Sequence, residues 1–101
     1  MPAALDMTMH HPARLQIVAA LTRADDIEFA VLRDLVEISD SVLSKHLSAL
    51  AESGYVKLVK AAQDGRQRTW ASATARGRKA FRAHVQALQD MVANVQTAAA
   101  G

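Results

Sequence analysis

The 101-residue sequence contains no cysteine. This absence excludes disulfide bonds, metal sites built on thiolates and cysteine nucleophiles. The longest purely apolar run is IVAAL at 17–21, far short of the roughly 20 residues that span a bilayer. The N-terminal stretch MPAALDMTMHHP has neither the basic segment nor the apolar segment of a secretory signal. We therefore expect a cytoplasmic protein without a membrane segment.

Motifs for catalysis are missing as well. The sequence has no glycine-rich phosphate loop, no His-Glu metal motif and no nucleophile elbow, and no motif places a pair of carboxylates. We expect no enzyme, no cofactor and no metal site. Half of the residues are apolar, which predicts one globular domain over 1–101 with a modest core.

Charge is present but unevenly distributed. Residues 1–38 carry three basic and six acidic groups, a net charge of −3. Residues 39–82 carry nine basic and three acidic groups, a net charge of +6, although the whole chain has only +2. Such asymmetry indicates a surface that faces phosphates.

Two short helices are predicted in the first third of the chain. HHPARLQIVAAL starts one of them, because Pro12 suits the first turn of a helix and apolar residues then recur on one face. IEF at 27–29 is predicted as a short extended piece. AVLRDLVEI at 30–38 is predicted as the second helix, with Leu32, Leu35 and Val36 directed inward.

The stretch SDSVLSKHLSALAESGYV at 39–56 predicts a third helix. Ser39 is a good N-cap, and Gly54 stands where a left-handed residue ends a helix. Leu43, Leu47 and Leu50 lie on one face at spacings of four and three. The opposite face carries small polar groups and one cation. The second and third predicted helices together form a helix-turn-helix.

A hairpin and a long helix complete the chain. YVKLVKAA and RTWASAT are predicted as strands, joined by QDGR with its turn-forming Asp-Gly pair. TARGRKAFRAHVQALQDMVANVQ at 74–96 is predicted as a helix with Thr74 as its cap. Its apolar residues repeat at four, three, four and three, the spacing of a seam between helices. The fold class predicted is α+β, mostly α.

These segments in this order resemble the small winged helix-turn-helix bacterial transcriptional regulators of the MarR and ArsR type. The likeness is carried by HHPARLQIVAAL, SDSVLSKHLSALAESGYV and DGRQRTWASATARGRKAF, and it covers roughly residues 5–95. It implies a core at about 10–75, a two-stranded wing, and a dimerisation helix at about 75–96. It also implies a sequence-specific regulator that acts as a homodimer on an inverted-repeat operator, with a repressor as the expectation. A small-molecule effector is left open.

The expected contacts fall into three groups. The third helix would enter the major groove, which admits one α-helix, with Ser39, Ser41, Val42, Ser44, Lys45 and Ser48. The wing would meet DNA with Lys57, Lys60, Arg66 and Arg68. The dimer interface would use Phe81, Val85, Leu88, Val92 and Val95. Two alternatives stay open, a winged helix that contacts other proteins and a nonspecific architectural DNA-binding protein.

Several residues allow two interpretations. His46 is expected as a partly buried helix histidine rather than a base contact, and Trp70 as a core residue rather than a platform for a ligand. Arg76, Arg78 and Lys79 oppose the helix dipole, so they either lie in a solvated turn or neighbour a phosphate. The apolar seam could pack within its own subunit, although a partner is the expectation. His10, His11 and His84 form no recognisable ligand set, and without cysteine we expect no metal sensing.

Overall fold

The computed structural model describes residues 4–100, which form four helices and three strands. In chain order these are α1 (Pro12–Leu21), β1 (Ile27–Glu28), α2 (Phe29–Val36), α3 (Asp40–Glu52), β2 (Val56–Gln63), β3 (Arg66–Ala73) and α4 (Ala75–Ala100). The predicted fold class, mostly helical α+β with a winged helix-turn-helix, is confirmed. Within residues 4–100 no helix is both long and apolar enough to cross a bilayer.

The sheet has one strand more than the predicted two-stranded wing. β3 lies in the centre, with β1 on one side and β2 on the other, and both pairings are antiparallel. Ile27 pairs with Ala71, and Leu58 pairs with Ala71 from the other side. Because side chains alternate between faces, Ala71 and Val56 point into the core. Trp70 points outward and is only half-buried, so the prediction that it is a core residue is wrong.

The core forms where α1, α2 and α3 meet the inner face of the sheet. Its fully buried members include Leu43, Leu47 and Leu50, as the spacing predicted. Leu32 and Val36 are buried in α2, but Leu35 is 62% exposed. At 100° per residue Leu35 lies about 80° from the middle of the Leu32–Val36 face, so the short helix turns it to solvent.

The start of α4 docks on the turn between α3 and β2. Thr74 caps α4 as predicted, because its Oγ1 accepts from the backbone N–H of Gly77 at 2.9 Å and donates to the carbonyl of Gly54 at 2.6 Å. Gly77 is required here, since a Cβ on it would lie 2.0 Å from the carbonyl oxygen of Tyr55. Only the first half of α4 packs on the domain, and residues 91–100 are all exposed.

Candidate nucleic-acid interface

Helix α3 presents one exposed polar face above its buried leucines. Ser39 caps the helix as predicted, its Oγ accepting from the N–H of Val42 at 3.3 Å. Gly54 has a φ of +78°, the left-handed value expected after the last turn. The residues predicted for the major groove, Ser39, Ser41, Val42, Ser44, Lys45 and Ser48, are all exposed. A rigid underside thus holds a continuous surface of short side chains around one lysine.

An ion-pair cluster, absent from the sequence interpretation, fixes α2 against α3. Arg33 on α2 donates through Nη1 to Oδ1 of Asp40 and through Nε to Oδ1 of Asp34, both at 3.0 Å. Asp40 is the first residue of α3, where a carboxylate also suits the helix dipole. Between the helices Glu37 adopts a left-handed conformation with a φ of +59°. The pairs are exposed, so they set geometry more than they add stability.

His46 lies on the rear of α3, where it is only 6% exposed. Its Nδ1 accepts from Nε of Arg14 at 3.2 Å, and its ring centroid is 4.5 Å from that of His11. Burial, together with the charges of His11 and Arg14, lowers the pKa of His46. His46 was expected as a partly buried helix histidine, and the structure buries it still further.

The wing ends in a tight turn that leaves two cations exposed. Asp64 and Gly65 have φ values of +52° and +76°, the positive pair that a type I′ hairpin turn requires. Arg66 follows the turn directly and pairs with Gln63. Lys60 lies on β2, three residues before Gln63. Both Arg66 and Lys60 are exposed.

The other two residues predicted for the wing lie away from its tip or in an ion pair. Lys57 is seven positions before Asp64, about 23 Å from the tip along an extended strand. Arg68 is held on the sheet by Glu28, with Nη1 of Arg68 3.4 Å from Oε1 of Glu28. A cation engaged in this pair and one at the base of the wing are poorly placed for phosphates that the tip would meet.

Of the three cations at the start of α4, Arg76 and Lys79 are exposed, as a solvated turn predicts, whereas Arg78 follows neither interpretation. Arg78 donates to three backbone carbonyls at the C-terminal end of α1 and in the turn that follows, those of Leu21 at 3.4 Å, Thr22 at 2.9 Å and Ala24 at 3.2 Å. Arg76 lies over the ring of Tyr55, with Cζ 5.7 Å from the ring centroid. Arg78 therefore caps the C-terminal end of α1, where a cation is favourable.

Two of the histidines, His10 and His84, lie in contact, a pairing that the sequence did not predict. Nδ1 of His10 lies 3.3 Å from Nε2 of His84, which is fully buried. Nδ1 of His84 accepts from the N–H of Asp6 at 2.9 Å, so Nε2 must carry the proton of the neutral ring. That nitrogen is consequently not free to ligate a metal. Across the described part of the chain, no group of three or more His, Cys, Asp or Glu is arranged to hold a metal ion.

The predicted seam of α4 divides into two parts. Phe81 is half-buried and packs against the domain's own core. Val85 and Leu88 are half-buried, whereas Val92 and Val95 are 55% and 66% exposed. Met91, which the sequence interpretation missed, is exposed beside them. A single chain thus leaves an apolar stripe on the outer half of the helix.

Comparison with known proteins places this geometry in a family. A family model described as a winged helix DNA-binding domain matches residues 13–92. An uncharacterised protein of Methanocaldococcus jannaschii is 30% identical over 83 residues, which cover 82% of this chain and 90% of the relative. Because that relative is archaeal, the bacterial part of the resemblance remains a prediction.

Solved structures show the same fold. A transcriptional regulator homologue from Pyrococcus horikoshii superimposes with a TM-score of 0.83, at 22% identity and 89% coverage of both chains. The transcriptional repressor BigR from Xylella fastidiosa gives a TM-score of 0.64 at 26% identity, over 75% of this chain and 70% of that one. Other neighbours include regulators of the MarR family. The resemblance to MarR- and ArsR-like regulators is confirmed.

Proposed function

The chain belongs to the winged helix DNA-binding domain family, and on that premise we propose that it is a sequence-specific repressor of transcription that binds operator DNA as a homodimer. The observation that carries this proposal is the exposed face of α3, with its four serines and Lys45 above a buried row of leucines. Membership of a family of DNA-binding regulators points to a protein without catalytic activity.

The composition of that face suits direct reading of bases. Short side chains let a helix approach base edges in the major groove, and serine can donate to or accept from a base or a phosphate. Lys45 is the only long cation on the face and can reach the acceptors of guanine. We assign base recognition to Lys45 with Ser41, Ser44 and Ser48.

The wing would hold DNA rather than read it. Arg66 beside the Asp64–Gly65 turn and Lys60 on β2 are exposed cations, which suits contact with the backbone or a narrow minor groove. Lys57 and Arg68 are left out of this interface because of their positions.

Assembly as a homodimer is supported by the outer half of α4. Leu88, Met91, Val92 and Val95 continue the buried face of the helix beyond the domain; Leu88 is half-buried and the other three are exposed. Two copies would place two α3 helices on an inverted repeat, since the symmetry of such a dimer matches that of its operator. We propose a single winged-helix domain with α4 as its dimerisation helix.

The repressor role rests on relatives. One similar structure is named as a transcriptional repressor, and the resemblance itself carries that expectation. A protein that acts on DNA works in the compartment that holds it, so a cytoplasmic location is part of the proposal.

A pair of substitutions tests which part of the protein reads DNA. Lys45→Ala should lower affinity for the operator by about 1–3 kcal/mol and barely change affinity for scrambled DNA, because it removes a base contact. Arg66→Ala should lower the affinities for operator and for scrambled DNA by similar amounts, because it removes a phosphate contact. The operator is first obtained by sequencing DNA that the purified protein retains, and each variant is titrated against operator and scrambled duplex at fixed salt. If Arg66→Ala loses its preference for the operator and Lys45→Ala keeps it, the wing and not α3 determines sequence specificity.

Salt dependence separates the two alternatives from the proposal. If Lys60 and Arg66 of two subunits contact phosphates, four contacts predict a slope of log affinity against log salt of about −3.6. A slope near zero would indicate a module that contacts other proteins. A steep slope without operator preference would indicate an architectural protein.

A further inference from the structure

The outer face of the sheet, away from the core, contains a cavity of about 490 Å³. Its volume lies within the range of small-molecule pockets. The lining combines an indole, an aliphatic side chain, a hydroxyl and charges of both signs. These groups belong to Asp25, Asp26, Lys57, Val59, Trp70 and Ser72.

The strand register explains why these side chains meet. Trp70 on the central strand pairs with Glu28 on one side and Val59 on the other. Ser72, two positions further, pairs with Lys57, and Asp26 comes directly before β1 on the opposite side. Because residues two apart share a face, the indole, the hydroxyl and the ammonium point to the same side of the sheet.

In the part of the chain that the structure describes, neither the indole nor the charged groups of this cavity take part in another interaction of the fold. Trp70 is the only tryptophan of the sequence, is half-buried, and belongs neither to the core nor to the proposed DNA interface. Among residues 4–100 every ion pair involves Arg33 or Arg68, so Asp25, Asp26 and Lys57 are all unpaired. The cavity therefore offers two free carboxylates and one free ammonium beside an aromatic floor.

We propose that this cavity binds a small zwitterion, an α-amino acid with an apolar side chain. The carboxylates of Asp25 and Asp26 would take the ammonium group, and the ammonium of Lys57 would take the carboxylate. The hydroxyl of Ser72 lies between them and can donate or accept. The apolar side chain would lie on the indole of Trp70 and on Val59.

The mixed charges are what select a zwitterion. A purely cationic ligand would leave Lys57 unpaired and repelled, and a purely anionic ligand would face two carboxylates. A ligand with both charges at one end and an apolar body at the other gives each of its charges an opposite partner and places its body on the apolar walls. The proposal does not depend on DNA binding, because it concerns a different face of the molecule.

The single tryptophan gives a direct test on the unmodified protein. L-Leucine should produce a saturable change in the fluorescence of Trp70, since it does not absorb where the indole is excited. L-Leucinamide lacks the carboxylate and 4-methylpentanoate lacks the ammonium. Each should bind at least about tenfold more weakly, because a charge-assisted hydrogen bond is lost. The indole N–H signal in a two-dimensional NMR spectrum should shift with leucine in the same concentration range.

Variants identify the walls. Asp26→Asn and Lys57→Ala should each weaken leucine binding by about tenfold, whereas Lys79→Ala, which removes an exposed cation on α4, should leave it unchanged. Circular dichroism checks that each variant is folded. An unchanged fluorescence signal together with an unshifted indole N–H signal would overturn the proposal. So would leucinamide binding as tightly as leucine, because Lys57 would then have no role. All these measurements are made without DNA, so their failure leaves the proposed regulator untouched.

Discussion

At the scale of single residues, both ring nitrogens of His84 are committed to partners. Nδ1 accepts the N–H of Asp6, which leaves the proton on Nε2, facing Nδ1 of His10. Protonation would place a second N–H against that of Asp6 and a positive charge against His10. Burial and the neighbouring His10 lower the pKa of His84, and Asp6 opposes them only in part. The neutral ring therefore ties the N-terminal segment to α4.

This arrangement predicts a loss of stability in mild acid. The folded protein disfavours protonated His84, so the unfolded chain binds more protons around the ordinary histidine pKa of 6.5. The stabilisation is fully present above that pH and declines as the pH falls below it. We expect the free energy of unfolding, from urea titrations, to be lower at pH 5.5 than at pH 7.5. His84→Asn keeps an acceptor but does not titrate, so its pH dependence should be shallower.

Two other groups, His46 and Asp6, also contribute to the pH dependence of stability. His46 also has a lowered pKa, so His84→Asn should retain part of the slope. The pKa of Asp6 is lowered as well: burial would raise it, but the hydrogen bonds from Tyr55 and from the N–H groups of Met9 and Thr8 outweigh burial. Its stabilisation is lost only as the pH falls below about 4, a separate window. Identical slopes in the wild type and His84→Asn between pH 7.5 and 5.5 would show that His84 is not involved.

Single residues also show what could be predicted from the sequence and what could not. Ser39, Gly54 and Thr74 were identified correctly because caps obey rules that involve only near neighbours. His84 was not, because its partner Asp6 is 78 positions away and no local pattern connects them. Trp70 was assigned to the core by its type, although alternation along β3 turns it to the other face.

At the scale of elements, Arg78 joins the start of α4 to the end of α1. Its guanidinium donates to three carbonyls that α1 and the following turn would otherwise leave to water. The sequence showed only a cation in an unfavourable first turn, because its compensation comes from another helix. The unfavourable position of this cation in its own helix is compensated by its hydrogen bonds to another helix.

Replacing Arg78 should therefore loosen the contact between the two helices. We expect Arg78→Ala to lower the free energy of unfolding by about 1–3 kcal/mol, since hydrogen bonds from a charged donor are lost at half-buried acceptors. Lys79→Ala is the matched control, because it removes an adjacent exposed cation and should change stability by less than about 0.5 kcal/mol. Both are measured by urea titration at pH 7.5. Equal effects would mean that charge in the first turn matters and the cap does not.

The seam of α4 shows what a correct period predicts and what it leaves open. The four-three repeat identified the apolar face, but a repeat does not say which neighbour covers it. In the structure the first half of that face is covered by the chain itself: Phe81 packs on the core, and Ala87 is buried. Only the second half is left for a partner.

At the scale of the whole molecule, α4 makes the chain elongated. The helix has 26 residues, about 39 Å, and the longest extent of the molecule is 62 Å against 25 and 20 Å for the others. The outer half of α4 extends beyond the domain and carries a shallow apolar groove lined by Leu88, Val92 and Ala93. A helix of this kind gains little from its own domain, so its apolar stripe favours association.

Charge placed on that stripe should separate the subunits without unfolding them. Val92 and Val95 are well exposed in the single chain, so glutamates there cost the monomer little, but in a dimer they would be buried without partners. We expect the wild type to have twice the 10.9 kDa chain mass by light scattering at micromolar concentration, and the double variant to have the single mass. Thr97→Glu, an exposed position on the opposite side of the helix from Val92 and Val95, should remain a dimer. Because two linked half-sites bind far more tightly than one, the monomeric variant should lose about 10²-fold or more in operator affinity. A wild-type monomer that still binds the operator tightly would disprove the proposed dimer and leave the assignment of α3 intact.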